Sequence, residues 1–169
     1  MTATNAGVRA DTFPKLLRNH ADVRGSRPAM RHKDRGIWQT WTWAQVYENV
    51  RALAHGMRML GVKRGDKVAI AGSNRPFLYW SISAAQMIGA IPVPVYADAV
   101  TEEMAYILEN ADVTMIAAQD QEQVDKILSV QERLKDLKHV LYDEDRGLAT
   151  YDHAHLHSIE ALIESGKRE

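Results

Sequence analysis

The stretch VAIAGSNRP, residues 68–76, decides the fold of this chain. Its first four residues, 68–71, are all apolar, which is typical of a strand covered on both faces, as in a parallel sheet. Residues 72–74 are a glycine, a serine and an asparagine, which favour a tight turn and a helix N-cap, and Pro76 suits the first turn of a helix. The stretch therefore predicts a buried strand, a turn that caps a helix, and the helix itself.

The same alternation continues toward the C-terminus. Residues 77–88 are apolar almost all round, which predicts a buried helix. Further strands are predicted at residues 91–95, 113–117 and 139–142. Strands that alternate with helices indicate an α/β fold, a parallel sheet of about four strands with flanking helices and right-handed crossovers.

Three details of that sheet are also predicted. Pro92 and Pro94 remove two N–H donors from the same side of their strand, which should be short or unpaired on that side. Thr101 is expected to cap the next helix, and Ser158 a last short helix that stops at Gly166. Residues 143–157 are predicted to be loop.

An N-terminal β-hairpin precedes the sheet. Residues 29–33 and 37–41 flank the turn sequence Asp-Arg-Gly. Asp11 or Thr12 is expected to cap a helix before them, which should face inward with Leu16 and Leu17. After the hairpin, Thr42 and Gln45 have the spacing of a capping box. They begin a helix whose apolar positions recur at helical spacing as far as Gly61.

Four aromatic residues straddle the hairpin and the capped helix. Packing in a core is their default interpretation, and an acyl-binding surface is the alternative. They are Trp38, Trp41, Trp43 and Tyr47.

Composition limits the function classes. The chain has 169 residues and no cysteine, which excludes disulfides and thiolate metal sites. Its formal net charge of −1 gives no indication of non-specific nucleic-acid binding. No apolar run reaches the roughly 18–20 residues of a membrane span. A flexible leader over residues 1–11 and a single α/β domain over residues 12–169 are expected.

Two segments invite a site but lack its pattern. Residues 61–67, GVKRGDK, have one residue too few for a phosphate loop and precede a strand instead of following one, which favours a surface turn. His153, His155 and His157 alternate, so that on an extended segment they would share one side and could bind zinc or nickel. A solvated loop is the preferred interpretation, because neither neighbouring acids nor a second such cluster accompanies them, and no complete catalytic constellation is present.

The order of several segments resembles the N-terminal portion of adenylate-forming acyl-CoA ligases, in the long-chain fatty-acid branch. The similar segments are WTWAQV at residues 41–46, GVKRGDKVAI at 61–70, Asn74 to Pro76, GAIPVPVY at 89–96 and DEDRGL at 143–148. The resemblance runs from about Thr12 to Gly166.

The resemblance implies that the full-length enzyme uses ATP, Mg²⁺ and coenzyme A to convert a fatty acid into an acyl-adenylate and then an acyl-CoA. The family's phosphate loop, adenine- and ribose-binding segment and catalytic lysine do not occur in these residues. The chain is thus expected to be an inactive fragment with no catalytic residue and no metal ligand. Its expected partner is the remainder of the ligase, and the enzyme is expected to be cytoplasmic, with peripheral membrane association as an option.

By the same resemblance, Tyr96, Ala97 and Asp98 lie where the family's coenzyme A path passes. Self-association of the isolated chain is also expected, because residues 77–88 and 92–94 are too apolar to be solvated. The sequence leaves two other hypotheses for the function of the chain: a free-standing nucleotide-binding or regulatory α/β module, and a structural interaction domain.

Overall fold

The computed structural model describes residues 10–151 and 154–168. The chain divides into two compact units, of which the first ends at Tyr47 and the second begins at Glu48. Of the expected leader, only Ala10 and Asp11 are described. The expectation of one domain from residue 12 onward stays a prediction, and each unit is described by itself.

The first unit holds a helix and a β-hairpin. Helix α1 is Phe13–Arg24, and strands β1, Pro28–Asp34, and β2, Ile37–Thr42, pair antiparallel. The hairpin turn has Arg35 at φ 46° and Gly36 at φ 85°, which is the left-handed pair of a two-residue hairpin loop. The predicted hairpin is confirmed.

Helix α1 differs from its prediction on one point. Thr12 caps it as expected, because its hydroxyl accepts the backbone N–H of Lys15. However, none of its residues is buried, and Leu16 is exposed. The inward-facing role predicted for Leu16 is therefore wrong, whereas Leu17 is half-buried.

The aromatic residues of the first unit do not form a buried core. Trp38 is 56% exposed, and the Arg31 guanidinium lies 4.9 Å from the centre of its ring. Trp43 is half-buried against the ring of His20, at 4.7 Å between ring centres. Core packing was the wrong prediction for Trp38, since both faces of the hairpin near its turn are open.

Helix α2, Trp43–Met59, begins in the first unit and continues into the second. Its capping box is confirmed, because the Gln45 N–H donates to the Thr42 hydroxyl at 3.3 Å and the Thr42 N–H donates to the Gln45 side chain at 2.9 Å. Val50, Leu53 and Met57 are buried along one stripe, as the helical spacing predicted.

The remaining elements of the second unit alternate along the chain. They are β3 Lys67–Ala71, α3 Pro76–Met87, β4 Ile91–Val95, α4 Thr101–Asn110, β5 Val113–Ala118, α5 Gln121–Ser129 with a 3-10 turn at Gln131–Arg133, β6 His139–Tyr142, β7 Leu156–Ser158 and α6 Ile159–Gly166. Strands β3 to β7 form one parallel sheet in the order β4-β3-β5-β6-β7.

The sheet therefore has five strands instead of about four. The additional strand, β7, lies at the end of the segment that was predicted to be loop. Its register pairs Leu156 with Val140, and the Val140 N–H also donates to the His155 carbonyl at 2.8 Å. The edge strand β4 pairs only with β3, as its two prolines predicted.

Helices α4 and α5 cover one face of the sheet. On this face, Ala69, Ile116 and Val140 pack against the buried residues of α4 and α5. Elsewhere α2 and α6 approach closely, because Gly56 and Gly166 carry no side chain: a Cβ at Gly166 would collide with the Ala52 carbonyl. All four residues of the 68–71 run are fully buried, which confirms the strand.

Three helix predictions need correction. Helix α3 is not buried all round: Tyr79 is exposed, and its buried residues are Phe77, Ser81, Ala84 and Ala85. Thr101 is the first residue of α4, and Val100 occupies the N-cap without a side-chain bond. The N-cap of α3 is Arg75, not a residue of the 72–74 turn, again without a side-chain bond. Ser158, in contrast, caps α6 as predicted, since its hydroxyl accepts the Ala161 N–H.

Among the described residues, no helix combines the length and the apolar character that crossing a membrane requires.

Candidate functional site

The strand order places a topological switch point between β3 and β5. The chain leaves β3 toward β4 on one side, and then returns past β3 to β5 on the other side. In doubly wound α/β folds, ligands bind in the crevice at the carboxyl ends of the strands where the direction reverses. A ligand site is therefore expected at the loops after β3 and β5.

Protein groups occupy this switch point. The backbone N–H and the hydroxyl of Ser73 both donate to the side-chain oxygen of Gln119, at 2.7 and 2.6 Å. A Cβ on Gly72 would lie 2.6 Å from the Phe77 ring and 2.9 Å from the Gln119 Cβ. Gly72 is thus needed for the close approach of Phe77 and Gln119, and the two loops are tied to each other.

The loop after β6 also contacts the loops at the carboxyl ends of β3 and β5. Arg75 forms an ion pair with Glu144, and both side chains are partly buried. The Glu144 N–H donates to the Gln119 carbonyl at 2.8 Å. Both donors of Ser73 and one guanidinium nitrogen of Arg75 are therefore already engaged within the protein at this edge.

The loop after β4 is held by helix α5. Gln123, which is only 4% exposed, donates from its side-chain nitrogen to the Ala97 carbonyl at 2.9 Å. Lys126 donates to the Ala99 carbonyl at 3.1 Å and pairs with Glu122 at 2.8 Å. Lys126 is therefore a structural group of this loop and not a free cation.

The three sequence-predicted site residues lie together in that loop. Tyr96 is 81% exposed, Asp98 is exposed and Ala97 is half-buried. Sequence reasoning missed Gln123, the residue that holds them. In the sequence, Gln123 is recognisable only as a glutamine in the first turn of α5, one position before the buried Val124. Glutamine at such a position is usually exposed to solvent, so the pattern gave no indication of its role.

A second cluster joins β6 and β7. The Nδ1 atom of His139 and the Nε2 atom of His157 are 3.1 Å apart, and their ring centres are 5.2 Å apart. Burial, and then the neighbouring His139 and His155, lower the pKa of His157 below its usual value. His153 lies outside the described residues. Within them, no group of three or more His, Cys, Asp or Glu residues could hold a metal ion.

Residues 61–66 form a turn that leads into β3, as expected. Gly61 and Gly65 have φ values of 90° and 88°, and the Lys63 N–H donates to the Asp66 carboxylate at 2.8 Å. The turn leads into β3, so its backbone does not form a phosphate loop between a strand and a helix.

A family model described as "AMP-binding enzyme" matches residues 17–162. This chain belongs to the AMP-binding enzyme family. The match covers most of the chain, including the whole parallel sheet and α2. It confirms the family that the order of the sequence segments predicted.

Curated relatives agree with this assignment. The chain is 30% identical over 157 residues to the long-chain-fatty-acid–CoA ligase ACSBG1 of Rattus norvegicus, which covers 92% of this chain and 21% of that protein. It is 31% identical over 121 residues to the ligase ACSBG2 of the same organism, covering 70% of this chain and 18% of that protein. The chain spans about a fifth of the length of these relatives.

Solved structures show the same fold. The anthranilate CoA ligase AuaEII, solved with anthranoyl-AMP, superposes with a TM-score of 0.79 at 20% identity, over 90% of this chain and 27% of that one. A putative long-chain-fatty-acid CoA ligase from Rhodopseudomonas palustris CGA009 gives a TM-score of 0.75 at 24% identity, over 89% of this chain and 36% of that one. The α/β fold with a parallel sheet is thereby confirmed.

Proposed function

We propose that the protein to which this chain belongs is an ATP-dependent fatty-acid–CoA ligase, which forms an acyl-adenylate and then an acyl-CoA. The observation that carries this proposal is the 30% identity to a long-chain-fatty-acid–CoA ligase along 92% of the chain. Because the chain spans about a fifth of that relative, the activity is proposed for the whole enzyme.

Within that enzyme, this part of the chain supplies scaffold and no catalytic residue. Adenylate formation requires positive groups and donors at the α-phosphate, where negative charge develops, and Mg²⁺ supplies part of that charge. At the carboxyl edge of the sheet, Ser73 already donates to Gln119, and Arg75 is neutralised by Glu144. ATP and Mg²⁺ are therefore assigned to other parts of the enzyme.

The loop Tyr96 to Asp98 is the proposed wall of the coenzyme A path. Its exposed tyrosine ring and its carbonyls suit the neutral pantetheine arm, which needs apolar contact and single hydrogen bonds. The loop has no free cation for the coenzyme A phosphates, since Lys126 is engaged by the Ala99 carbonyl and by Glu122. The phosphates would be bound elsewhere.

The test is fatty-acid-dependent exchange of pyrophosphate into ATP, followed by thioester formation with coenzyme A, in the protein as encoded by its gene. We expect both half-reactions with a long-chain fatty acid. The 169-residue chain on its own should show neither, and calorimetry should detect no binding of ATP·Mg²⁺ to it. Millimolar or tighter binding that depends on Ser73 would contradict this proposal and favour a nucleotide-binding module.

A further inference from the structure

The two units of the chain carry opposite charge. Residues 1–47 contain eight Lys and Arg and three Asp, a net charge of +5, whereas residues 48–169 contain 13 Lys and Arg and 19 Asp and Glu, a net charge of −6. The overall value of −1 conceals this asymmetry. Such a division of charge is typical of a protein that presents one end to a polyanionic surface.

The first unit also exposes apolar side chains, next to the turn of its hairpin. All residues from 33 to 40 are exposed, on both faces of the two strands. Ile37 is 66% exposed and Trp38 is 56% exposed. A two-stranded ribbon that is open on both faces buries little apolar surface of its own, which leaves these side chains available for a partner.

Two cations of the hairpin share a face with Trp38, whereas Ile37 lies on the opposite face, next to the turn. The register pairs Lys33 with Trp38 and Arg31 with Thr40, so that Arg31, Lys33 and Trp38 lie on one face. Arg35 is in the turn itself. None of the three cations forms an ion pair with a carboxylate of the described residues, and Asp34 is the only acid between Pro28 and Thr42.

We propose that the hairpin tip, defined as Arg31, Lys33, Arg35, Ile37 and Trp38, docks on anionic phospholipid membranes. Tryptophan concentrates at the level of the lipid headgroups because its ring is amphipathic, and an exposed aliphatic side chain beside it gains by entering the acyl boundary. Lys and Arg close to an anionic bilayer each add attraction to the surface potential. The hairpin tip combines a tryptophan, an aliphatic side chain and three basic side chains within eight residues.

A lipid surface explains the tip better than a nucleic acid does. Bases stack on open aromatic rings, but one face of the Trp38 ring is covered by the Arg31 guanidinium at 4.9 Å. Ile37 offers a base neither a hydrogen bond nor a flat surface. A membrane interface accommodates both, because the guanidinium contacts phosphates while the indole and the aliphatic side chain enter the apolar boundary.

Co-sedimentation of the 169-residue chain with vesicles of phosphatidylcholine, with and without phosphatidylglycerol, tests the proposal. We expect binding that requires the anionic lipid and weakens with salt. The triple variant Arg31→Gln, Lys33→Gln, Arg35→Gln should lower the partition coefficient by about a hundredfold, since each cation counts for close to a factor of five. Ile37→Ser, which keeps every charge, should lower it by about tenfold.

The matched control removes three exposed lysines from the second unit, as Lys63→Gln, Lys135→Gln, Lys138→Gln, with the same change in net charge. This variant should bind like the unchanged chain. Brominated lipid should quench tryptophan emission in the unchanged chain and not in Trp38→Phe. Equal thermal unfolding of all variants establishes that each one is folded.

Four results would overturn the proposal. They are binding that ignores phosphatidylglycerol, an equal loss in the two triple variants, quenching that persists in Trp38→Phe, and the absence of vesicle binding. If the tip instead governs binding to polyuridylate, the partner is a nucleic acid. If it governs concentration-dependent light scattering, the partner is a second copy of the chain.

Discussion

Ser73 and Gln119 are 46 residues apart in the chain, yet both donor groups of Ser73 bond to the same side-chain oxygen of Gln119, at 2.7 and 2.6 Å. The contact joins the loops that follow β3 and β5, the two strands at the switch point. In a doubly wound fold this is where a ligand is expected. Here the position holds a hydrogen bond between two loops, which is consistent with a structural role for this part of an AMP-binding enzyme.

Gln119→Ala should lower the free energy of unfolding by about 1–2 kcal/mol, because two hydrogen bonds are lost at a partly exposed site. It should also accelerate hydrogen exchange at the Ser73 amide, which loses its acceptor. Chemical denaturation and amide exchange measure the two effects. Gln131→Ala, at an exposed glutamine of the 3-10 turn, is the control and should change neither. Unchanged exchange at Ser73 in Gln119→Ala would show that the tie does not form in solution.

The close approach of α2 and α6 depends on Gly166. A Cβ there would collide with the backbone carbonyl of Ala52, and backbone cannot move as cheaply as a side chain. Gly166→Ala should therefore destabilise the chain by about 1–3 kcal/mol through overpacking, although alanine has the higher helix propensity. Glu160→Ala, on the exposed side of α6, should stay within about 0.5 kcal/mol. A stabilised Gly166→Ala variant would mean that the helices do not touch at this point.

The burial of His157, next to His139, makes stability depend on pH. Burial and two neighbouring imidazoles lower the pKa of His157 in the folded chain, so between that lowered pKa and the usual value near 6.5 the unfolded chain binds more protons. The contribution of His157 to the free energy of unfolding is therefore fully present above about pH 6.5. That contribution is lost as pH falls through the folded pKa.

Denaturation at a series of pH values, with His157→Gln, tests this dependence. The variant should be less sensitive to acid between neutral pH and the folded pKa, since the group that resists protonation is gone. His32→Gln, which removes an imidazole of the hairpin, outside the pair, is the control. An equal acid sensitivity of the unchanged chain and His157→Gln would exclude His157 as the cause.

Local signals in the sequence were sufficient for most elements. The run of four apolar residues at 68–71 can only be stable when buried on both faces, and the Asp-Arg-Gly turn supplies the left-handed conformations at Arg35 and Gly36 that a two-residue hairpin loop needs. Thr42 and Gln45 form a cap through contacts three residues apart. Each of these features depends on neighbours in the chain, which is why sequence alone identifies it.

Features that depend on distant residues were not predictable. Strand β7 has three residues, and it becomes a strand only because β6 offers a free edge. A residue of the 72–74 turn was expected to cap α3, but the N-cap is Arg75, and both donors of Ser73 bond to Gln119. Gln123 holds the Tyr96 loop through a bond across 26 positions. A one-dimensional pattern contains no signal for any of these partners.

The proposed coenzyme A path makes a prediction about the two half-reactions of the complete enzyme. Tyr96→Ala should raise the apparent KM for coenzyme A by about fivefold, the loss of roughly 1 kcal/mol of contact, with pyrophosphate exchange unchanged. Tyr106→Ala, at another exposed tyrosine, should alter neither half-reaction. An equal loss in both half-reactions for Tyr96→Ala would indicate a folding defect instead of a missing wall.

The outer edge of strand β4 has acceptors but no donors. The Ile91 N–H donates inward, to the Asp66 carbonyl at 2.8 Å, and the N–H groups of alternate residues point the same way. The positions that point outward are 92 and 94, and both are prolines. A second chain cannot extend the sheet at this edge, so the expected self-association has to use exposed apolar side chains such as Tyr79 and Ile91.

Replacing both prolines distinguishes two routes of self-association, pairing at the edge of β4 and contact between exposed apolar side chains. Pro92→Val with Pro94→Val restores two outward N–H donors and keeps the apolar character, so light scattering across a concentration series should show stronger association than in the unchanged chain. Pro14→Val, in helix α1, is the control for loss of a proline as such. Ile91→Lys should weaken association in the unchanged chain by placing a charge on the apolar surface. A chain that stays monomeric at high concentration, even with the double replacement, would contradict both routes, because neither the restored edge nor the apolar side chains would then bind a second copy.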